Sequence, residues 1–349
     1  MRSIRALLCG LALLAAAGCA TPLEPGDQPV LLVPKEPPAG AKVDPQEEIA
    51  RAAYLAQRYE DAGEAYLSLA LRTPDPRLRT EFLLYSAEAA LGAQDHLAAY
   101  TRTTNLLTLY PDAVSYEHAV NRQFLLARLF AQGKAIKPSW LLAVQMRDRE
   151  FGIKALERFQ RERERHPSAD DALHFAAEAY EESDEPGLAI DTWTKLGRLY
   201  PDSEWAETAE YRTGLATLRL SEGPYYDKAP MYAGLKRLEA YLKRHPRGNH
   251  AKEASEKVAE LREGLAQQLF EVAEYYERRD QLYSARLYLA AIQRDFPKTE
   301  AAVEAKALAA QIPRTSPPPP PPPPEDLETP GGIDEDRLRI APAPVDDFW

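Results

Sequence analysis

The chain has 349 residues and a formal net charge of −11, with 43 basic against 54 acidic side chains. That charge argues against nucleic-acid binding, which requires a basic stripe to displace counterions from phosphates. Its two cysteines can form neither a disulfide framework nor a cysteine-rich zinc site. Hydrophobic residues make up 45% of the chain, which is typical of a folding protein. The length alone suggests two ordinary domains or one elongated one.

Residues 1–18 have the pattern of a secretory signal peptide. A basic start precedes an apolar segment of about a dozen residues, too short for a membrane-spanning helix, which needs ~20. The segment ends in Ala16-Ala17-Gly18-Cys19, which resembles the lipobox of bacterial lipoproteins. The resemblance implies lipid attachment at Cys19, through acyl chains such as palmitate, and the absence of a following Asp favours the outer membrane. An ordinary cleaved signal with a nearby cysteine is the alternative.

Residues 19–44 are predicted to be a proline-rich tether that follows the lipidated Cys19. Such a composition favours a semi-extended chain that lacks helical periodicity and would hold the folded part off the membrane. Val30–Val33 forms an apolar island within it. This island either docks on the folded part or is solvated, and docking is favoured.

Residues 45–312 carry a repeat. Six prolines each follow a helix-like segment, at positions 74, 111, 167, 201, 246 and 297. The residue twelve positions before each proline is small: Ala62, Ala99, Ala155, Ala189, Gly234 and Ala285. Close antiparallel helices need small residues where their backbones approach, and proline stops the second helix. The pattern resembles the tetratricopeptide repeat and predicts an all-α solenoid of about six helix pairs.

The repeat is irregular in four places. Insertions are predicted at Lys134–Asp148 and Ser221–Asp227, and a long helix is predicted over roughly 249–279. A last helix near 298–311 would close the array as a cap. Ser168 with Asp171 is typical of a capping box at the start of the helix that follows Pro167.

From Ala209 to Thr299 the chain resembles BamD-type outer-membrane lipoproteins of the β-barrel assembly machinery. The most specific stretches are VAEYYERR (Val272–Arg279) and RDFPKT (Arg294–Thr299), and residues 202–312 are the most BamD-like part. The resemblance implies a periplasm-facing, lipid-anchored scaffold of the outer membrane that assists assembly and insertion of β-barrel proteins. The implied partners are a barrel-assembly subunit and unfolded outer-membrane proteins.

The resemblance also implies a partner-binding face that includes Tyr275, Tyr276, Arg279 and Arg286. Tyr225 and Tyr226 are added as candidates, because two adjacent side chains in a loop cannot both point into one core seam. The alternative function is a tetratricopeptide scaffold that coordinates other cell-envelope or peptidoglycan processes. The proline-rich tether and tail, which barrel assembly does not need, keep that alternative open.

The sequence predicts a protein that is not an enzyme. It has no Gly-rich phosphate loop, GxSxG, HExxH or CxxC motif, so no catalytic residue, cofactor or metal site is predicted. His245 and His250 are five positions apart without a third ligand. Acidic pairs such as Asp170-Asp171 and Glu181-Glu182 are predicted to be solvated surface.

Residues 313–349 are predicted to be a disordered tail. Pro317–Pro324 favours a stiff polyproline II rod, and acidic residues predominate after it. An alternative is that the rod presents the aromatic terminus to a partner or acts as a spacer.

Overall fold

The computed structural model describes residues 29–37, 43–135, 137–138, 145–146, 149–221 and 228–313. Over these ranges the protein is built from thirteen α-helices and one antiparallel ladder of two-residue strands. None of the helices described combines the length and apolarity needed to cross a membrane. The signal peptide, Cys19 and the tail after Pro313 lie outside the described residues.

The helices follow one another with short connections. They are α1 Pro45–Leu55, α2 Tyr59–Arg72, α3 Pro76–Gly92, α4 His96–Leu109, α5 Tyr116–Ala131, α6 Arg149–Glu162, α7 Ala169–Glu182, α8 Pro186–Leu199, α9 Ala206–Leu218, α10 Ala229–Arg244, α11 Ala251–Arg278, α12 Leu282–Asp295 and α13 Glu300–Gln311. Strands β1 (Lys137–Pro138) and β2 (Gln145–Met146) pair inside the predicted insertion between α5 and α6. The predicted long helix and cap helix correspond to α11 and α13.

The described residues divide into two compact units, with the boundary between Ala259 and Glu260. In the first unit each helix from α1 to α9 packs against the next one along the chain, as a solenoid of helix pairs requires. In the second unit α12 packs against α13. The predicted fold class, an all-α tetratricopeptide-like solenoid, is confirmed.

The small residues lie where the sequence pattern predicts close helix contact. All six positions that precede the prolines by twelve residues are buried: Ala62, Ala99, Ala155, Ala189, Gly234 and Ala285. Gly152 marks a still closer approach, because a β-carbon built there would overlap the backbone nitrogen of Ala131 on α5. Helix packing therefore sets the residue size at these positions, whatever their helix propensity.

N-capping side chains mark the starts of α1 and α3, whereas the cap predicted for α7 is absent. Asp44 and Asp75 accept N-capping hydrogen bonds from Gln46 and Arg77, and each precedes a proline at the first helical position, a favourable combination. The predicted capping box at Ser168 is wrong, because its side chain makes no capping bond. The other residue of the predicted box, Asp171, instead accepts a hydrogen bond from the indole N–H of Trp205 in the next repeat.

The buried apolar residues of the first unit form successive clusters along the helix pairs, and the tether adds to two of them. Leu31 and Leu32 pack against the cluster formed by α1–α3 and also against the one formed by α3–α7. Val30 and Val33 are exposed. Docking of the apolar island, the favoured prediction, is thus confirmed for its two central residues.

Candidate functional site

Three of the predicted partner-binding residues lie together at the end of α11. The Arg279 guanidinium lies 4.5 Å from the centre of the Tyr275 ring, within the range of a cation–π contact. The Tyr275 and Tyr276 rings meet edge to face at 5.6 Å. Tyr288 of α12, which was not predicted as a site residue, stacks on Tyr276 at 5.5 Å. We call these four residues the tyrosine–arginine cluster.

The cluster is accessible. Tyr275 is 44% exposed, and neighbouring Leu287 on α12 is 56% exposed. Arg286, the fourth predicted residue of α11–α12, donates instead to the carbonyl oxygen of Pro313 at 3.3 Å. An exposed aromatic ring beside a cation is a composition enriched at protein interfaces. Tyr225, Tyr226 and Cys19 lie outside the described residues.

A second arrangement, which the sequence reasoning missed, holds the tether against α1, α3 and α5. We call residues 29–37 the tether segment. Glu88 Oε2 accepts a hydrogen bond from the Leu32 N–H at 2.9 Å, and Arg122 Nη2 donates to the Val30 carbonyl at 2.9 Å. The Tyr54 hydroxyl donates to the Leu32 carbonyl at 2.9 Å.

Glu88 and Arg122 also bind each other. Arg122 Nε lies 2.7 Å from Glu88 Oε1 and Nη2 lies 2.8 Å from Oε2, which is bidentate geometry. The Glu88 side chain is completely buried and that of Arg122 is 8% exposed. His118 Nε2 is 3.1 Å from Glu88 Oε1. We call Glu88 and Arg122 the clamp.

Electrostatics keep the clamp ionised. Burial raises the pKa of Glu88, but the His118 hydrogen bond, the charge of Arg122 and the Leu32 N–H together hold that pKa below its usual value. A buried carboxylate needs such compensation, since an unpaired charge in the interior is costly. The clamp therefore presents a fixed charge of each sign to the backbone of the tether segment.

Carboxylates at the contacts between helices bind donors that lie 12 to 34 residues further along the chain. Trp205 Nε1 donates to Asp171 at 2.8 Å, and the Tyr241 hydroxyl donates to Glu207 at 2.7 Å. Glu181 accepts from Trp193 Nε1 at 2.7 Å and from Arg212 at 2.9 Å. The prediction that Asp171 and Glu181 are merely solvated is wrong, because each one joins neighbouring helices.

The described residues contain no group of three or more histidine, cysteine, aspartate and glutamate side chains that could hold a metal ion. The His245 and His250 side chains each approach a different carboxylate, Glu210 at 3.1 Å and Glu253 at 3.2 Å. In the part of the chain that the structure covers, these histidines thus serve separate helix contacts.

The comparison with known families identifies the second half of the chain. Residues 142–315, about half of the protein, match the model of the YfiO family, described as an outer membrane lipoprotein. No curated protein matches the chain. The match covers α6–α13 and contains the tyrosine–arginine cluster, whereas the clamp lies before it. The family match, together with the helical repeats, shows that the chain belongs to the BamD-type family of outer membrane lipoproteins.

Proposed function

We propose that the protein is a periplasm-facing scaffold that works in the assembly and insertion of β-barrel outer-membrane proteins. The family match over residues 142–315 is the observation that carries this proposal. The scaffold acts by binding, bringing a barrel-assembly subunit and unfolded outer-membrane proteins together and raising their effective concentration.

The proposed partner surface is the tyrosine–arginine cluster. Tyr275 and Arg279 offer an exposed ring and a cation to a partner, while Tyr276 contacts the edge of Tyr275 and stacks on Tyr288. Arginine and tyrosine often dominate binding energy because they combine large contact area with directional polar groups. The matched part of the chain thus supplies a compact surface of suitable chemistry.

We propose lipid attachment at Cys19 as the membrane anchor. Two or three acyl chains give the stable association that a single chain does not, at ~0.8 kcal/mol per buried methylene. Replacing Cys19 with Ser should release the protein from the membrane fraction, and mass spectrometry of the wild type should find the acyl chains on residue 19. Recovery of Cys19→Ser in the outer membrane would contradict the anchor but not the family.

Affinity purification from detergent-solubilised outer membranes tests the scaffold function. The wild type should recover a barrel-forming subunit, and Tyr275→Ala with Arg279→Ala should lose most of it. Arg294→Ala is the matched control, because Arg294 is an exposed arginine of the same unit that pairs with the adjacent Asp295. Recovery of peptidoglycan-synthesis proteins without any barrel-assembly subunit would refute the proposal and favour the alternative envelope function.

A further inference from the structure

The hydrogen bonds that hold the tether segment share one feature, which is that each of them is made to its backbone. The Val30 carbonyl, the Leu32 N–H and the Leu32 carbonyl are each bound by a side chain of the helices. A fourth bond runs from the Lys35 N–H to the Tyr85 hydroxyl at 3.2 Å. The clamp and the two tyrosines therefore bind the main chain of the tether segment, so these polar contacts do not depend on its side chains.

Side-chain requirements on the bound segment are few. Leu31 and Leu32 pack against the helices and Pro34 is buried, whereas Val30 is 89% exposed and Val33 is 57% exposed. Backbone contacts provide affinity in such complexes, and the pockets for individual side chains provide the specificity. A site with three apolar positions, at Leu31, Leu32 and Pro34, and with backbone donors and acceptors accepts many different sequences.

The site extends beyond the residues that now occupy it. A cleft of about 410 Å³ adjoins the tether segment and is lined by Leu32, Lys35, Leu84, Val114 and His118, among others. Val114 is 93% exposed, so an apolar side chain faces this open space. A longer peptide that follows the path of the tether segment would cover it.

We propose that the clamp of Glu88 and Arg122 is a binding site for an extended apolar stretch of another polypeptide, and that the tether segment is its resident competitor. This deepens the proposed binding function and rests on it for the source of that polypeptide. The tether segment is part of the same chain, so it competes at an effective concentration in the millimolar range. An incoming polypeptide displaces it only when it binds more tightly or contacts more of the cleft.

A peptide-binding measurement on the otherwise complete mature protein tests the proposal. The probe is a fluorescent peptide with the sequence of residues 29–37, PVLLVPKEP, followed by fluorescence anisotropy. Leu31→Asp with Leu32→Asp should expel the tether segment, because carboxylates are not tolerated in an apolar site. The probe should then bind this variant at least about ten-fold more tightly than the wild type, since the competing segment no longer occupies the site.

The matched control changes the same segment by the same charge. Val30→Asp with Val33→Asp alters the two exposed side chains and should leave probe binding at the wild-type level. Adding Glu88→Leu and Arg122→Met to the released variant removes both members of the clamp together and should abolish the gain. Far-UV circular dichroism establishes that each variant is folded.

A second probe separates recognition of other polypeptides from recognition of the tether alone. This is a nonapeptide of otherwise unrelated sequence with Ile and Val at the third and fourth positions, which correspond to Leu31 and Leu32, and Pro at the sixth, which corresponds to Pro34. The released variant should bind it within about ten-fold of the first probe if backbone contacts dominate. The proposal is overturned if the released variant binds neither probe or only the first, or if the Val30 and Val33 control gains equally. It is also overturned if the clamp replacement retains binding. None of these readouts involves barrel assembly. Peptide binding at the clamp can therefore be disproved while the scaffold function stands, and the scaffold function can be disproved while peptide binding stands.

Discussion

The region before the family match and the matched region both contain side-chain contacts between residues 34 positions apart, but these contacts differ in burial and charge. Glu88 and Arg122 are 34 residues apart, as are Asp171 and Trp205 and Glu207 and Tyr241. In the matched region these contacts join partly exposed carboxylates to neutral donors. In the first region the contact is a fully buried ion pair that also binds a segment from outside the repeats. Burial and charge thus turn an ordinary contact between repeats into a site that holds the main chain of the tether segment.

Breaking the buried pair should have the largest effect on stability. Arg122→Met leaves the Glu88 carboxylate buried without its cation, and the expected loss is about 3–5 kcal/mol of unfolding free energy. Glu88→Leu together with Arg122→Met should lose clearly less, because no charge is left unpaired. Urea denaturation followed by circular dichroism measures both. Equal losses in the single and double variants would show that the pair acts only through its packing.

Acidification should affect the matched region through His174. Burial, with the nearby charge of Arg212, lowers the pKa of His174 to about 4, and its ring stacks on Trp205 at 3.7 Å. The unfolded state binds a proton below pH ~6.5 that the folded state refuses until about pH 4. Stability should therefore fall as pH falls between these values, by up to about 3 kcal/mol in total.

His174→Gln removes the group that titrates. The free energy of unfolding of this variant should therefore fall less as the pH is lowered. Urea midpoints at several pH values from 7 to 4 compare the two proteins, because other groups contribute equally to both. An unchanged slope in His174→Gln would contradict the assignment. His174 thus provides a test of the pH sensitivity of the matched region.

Helix contact at Gly152 should produce an intermediate effect. Gly152→Ala places a methyl group against the backbone of Ala131, and the expected loss is about 1–3 kcal/mol. Gly197→Ala on α8 is the matched control, because nothing lies within 4 Å of its β-carbon position. That change should be neutral or stabilise by up to about 1 kcal/mol. Thermal melts that rank the two variants in the opposite order would contradict the packing described for α5 and α6.

The smallest effect is expected from a contact between repeats in the matched region. Tyr241→Phe leaves the ring in place but removes the hydrogen bond to Glu207 and the one that the hydroxyl accepts from the His250 N–H at 3.1 Å. The expected cost is about 1–2 kcal/mol. Glu207 is partly exposed and can bind water instead. Urea denaturation measures the loss under the conditions used for Arg122→Met. A loss as large as that of Arg122→Met would contradict the claim that the buried ion pair matters more to stability than the contacts of the matched region.

The fold could be predicted because its signals are local and repeated. Proline stops and small residues at fixed spacing, such as Ala189 before Pro201, depend only on backbone geometry. The long helix that became α11 was visible from its apolar periodicity. The failed capping box shows the limit, because Asp171 had two possible partners and the more distant one, Trp205, binds it.

The clamp could not be predicted because its partners are far apart in sequence. Glu88 lies in an apolar stretch of α3. A carboxylate in such a stretch is the one sign in the sequence that this position needs a partner. Its partners come from positions 32, 118 and 122, and no local pattern relates them. The tyrosine–arginine cluster was predicted in part through the family resemblance, whereas Tyr288 joins it by packing across α11 and α12.

Photo-cross-linking from two positions in intact cells tests most directly whether the two regions bind different partners. A photoreactive amino acid would replace Tyr275 in the cluster and, in a second strain, Val114 beside the clamp. We expect position 275 to capture a single folded barrel-assembly subunit, and position 114 to capture a heterogeneous set of newly exported polypeptides once Leu31 and Leu32 are replaced with Asp. Capture of the same protein from both positions would contradict the account.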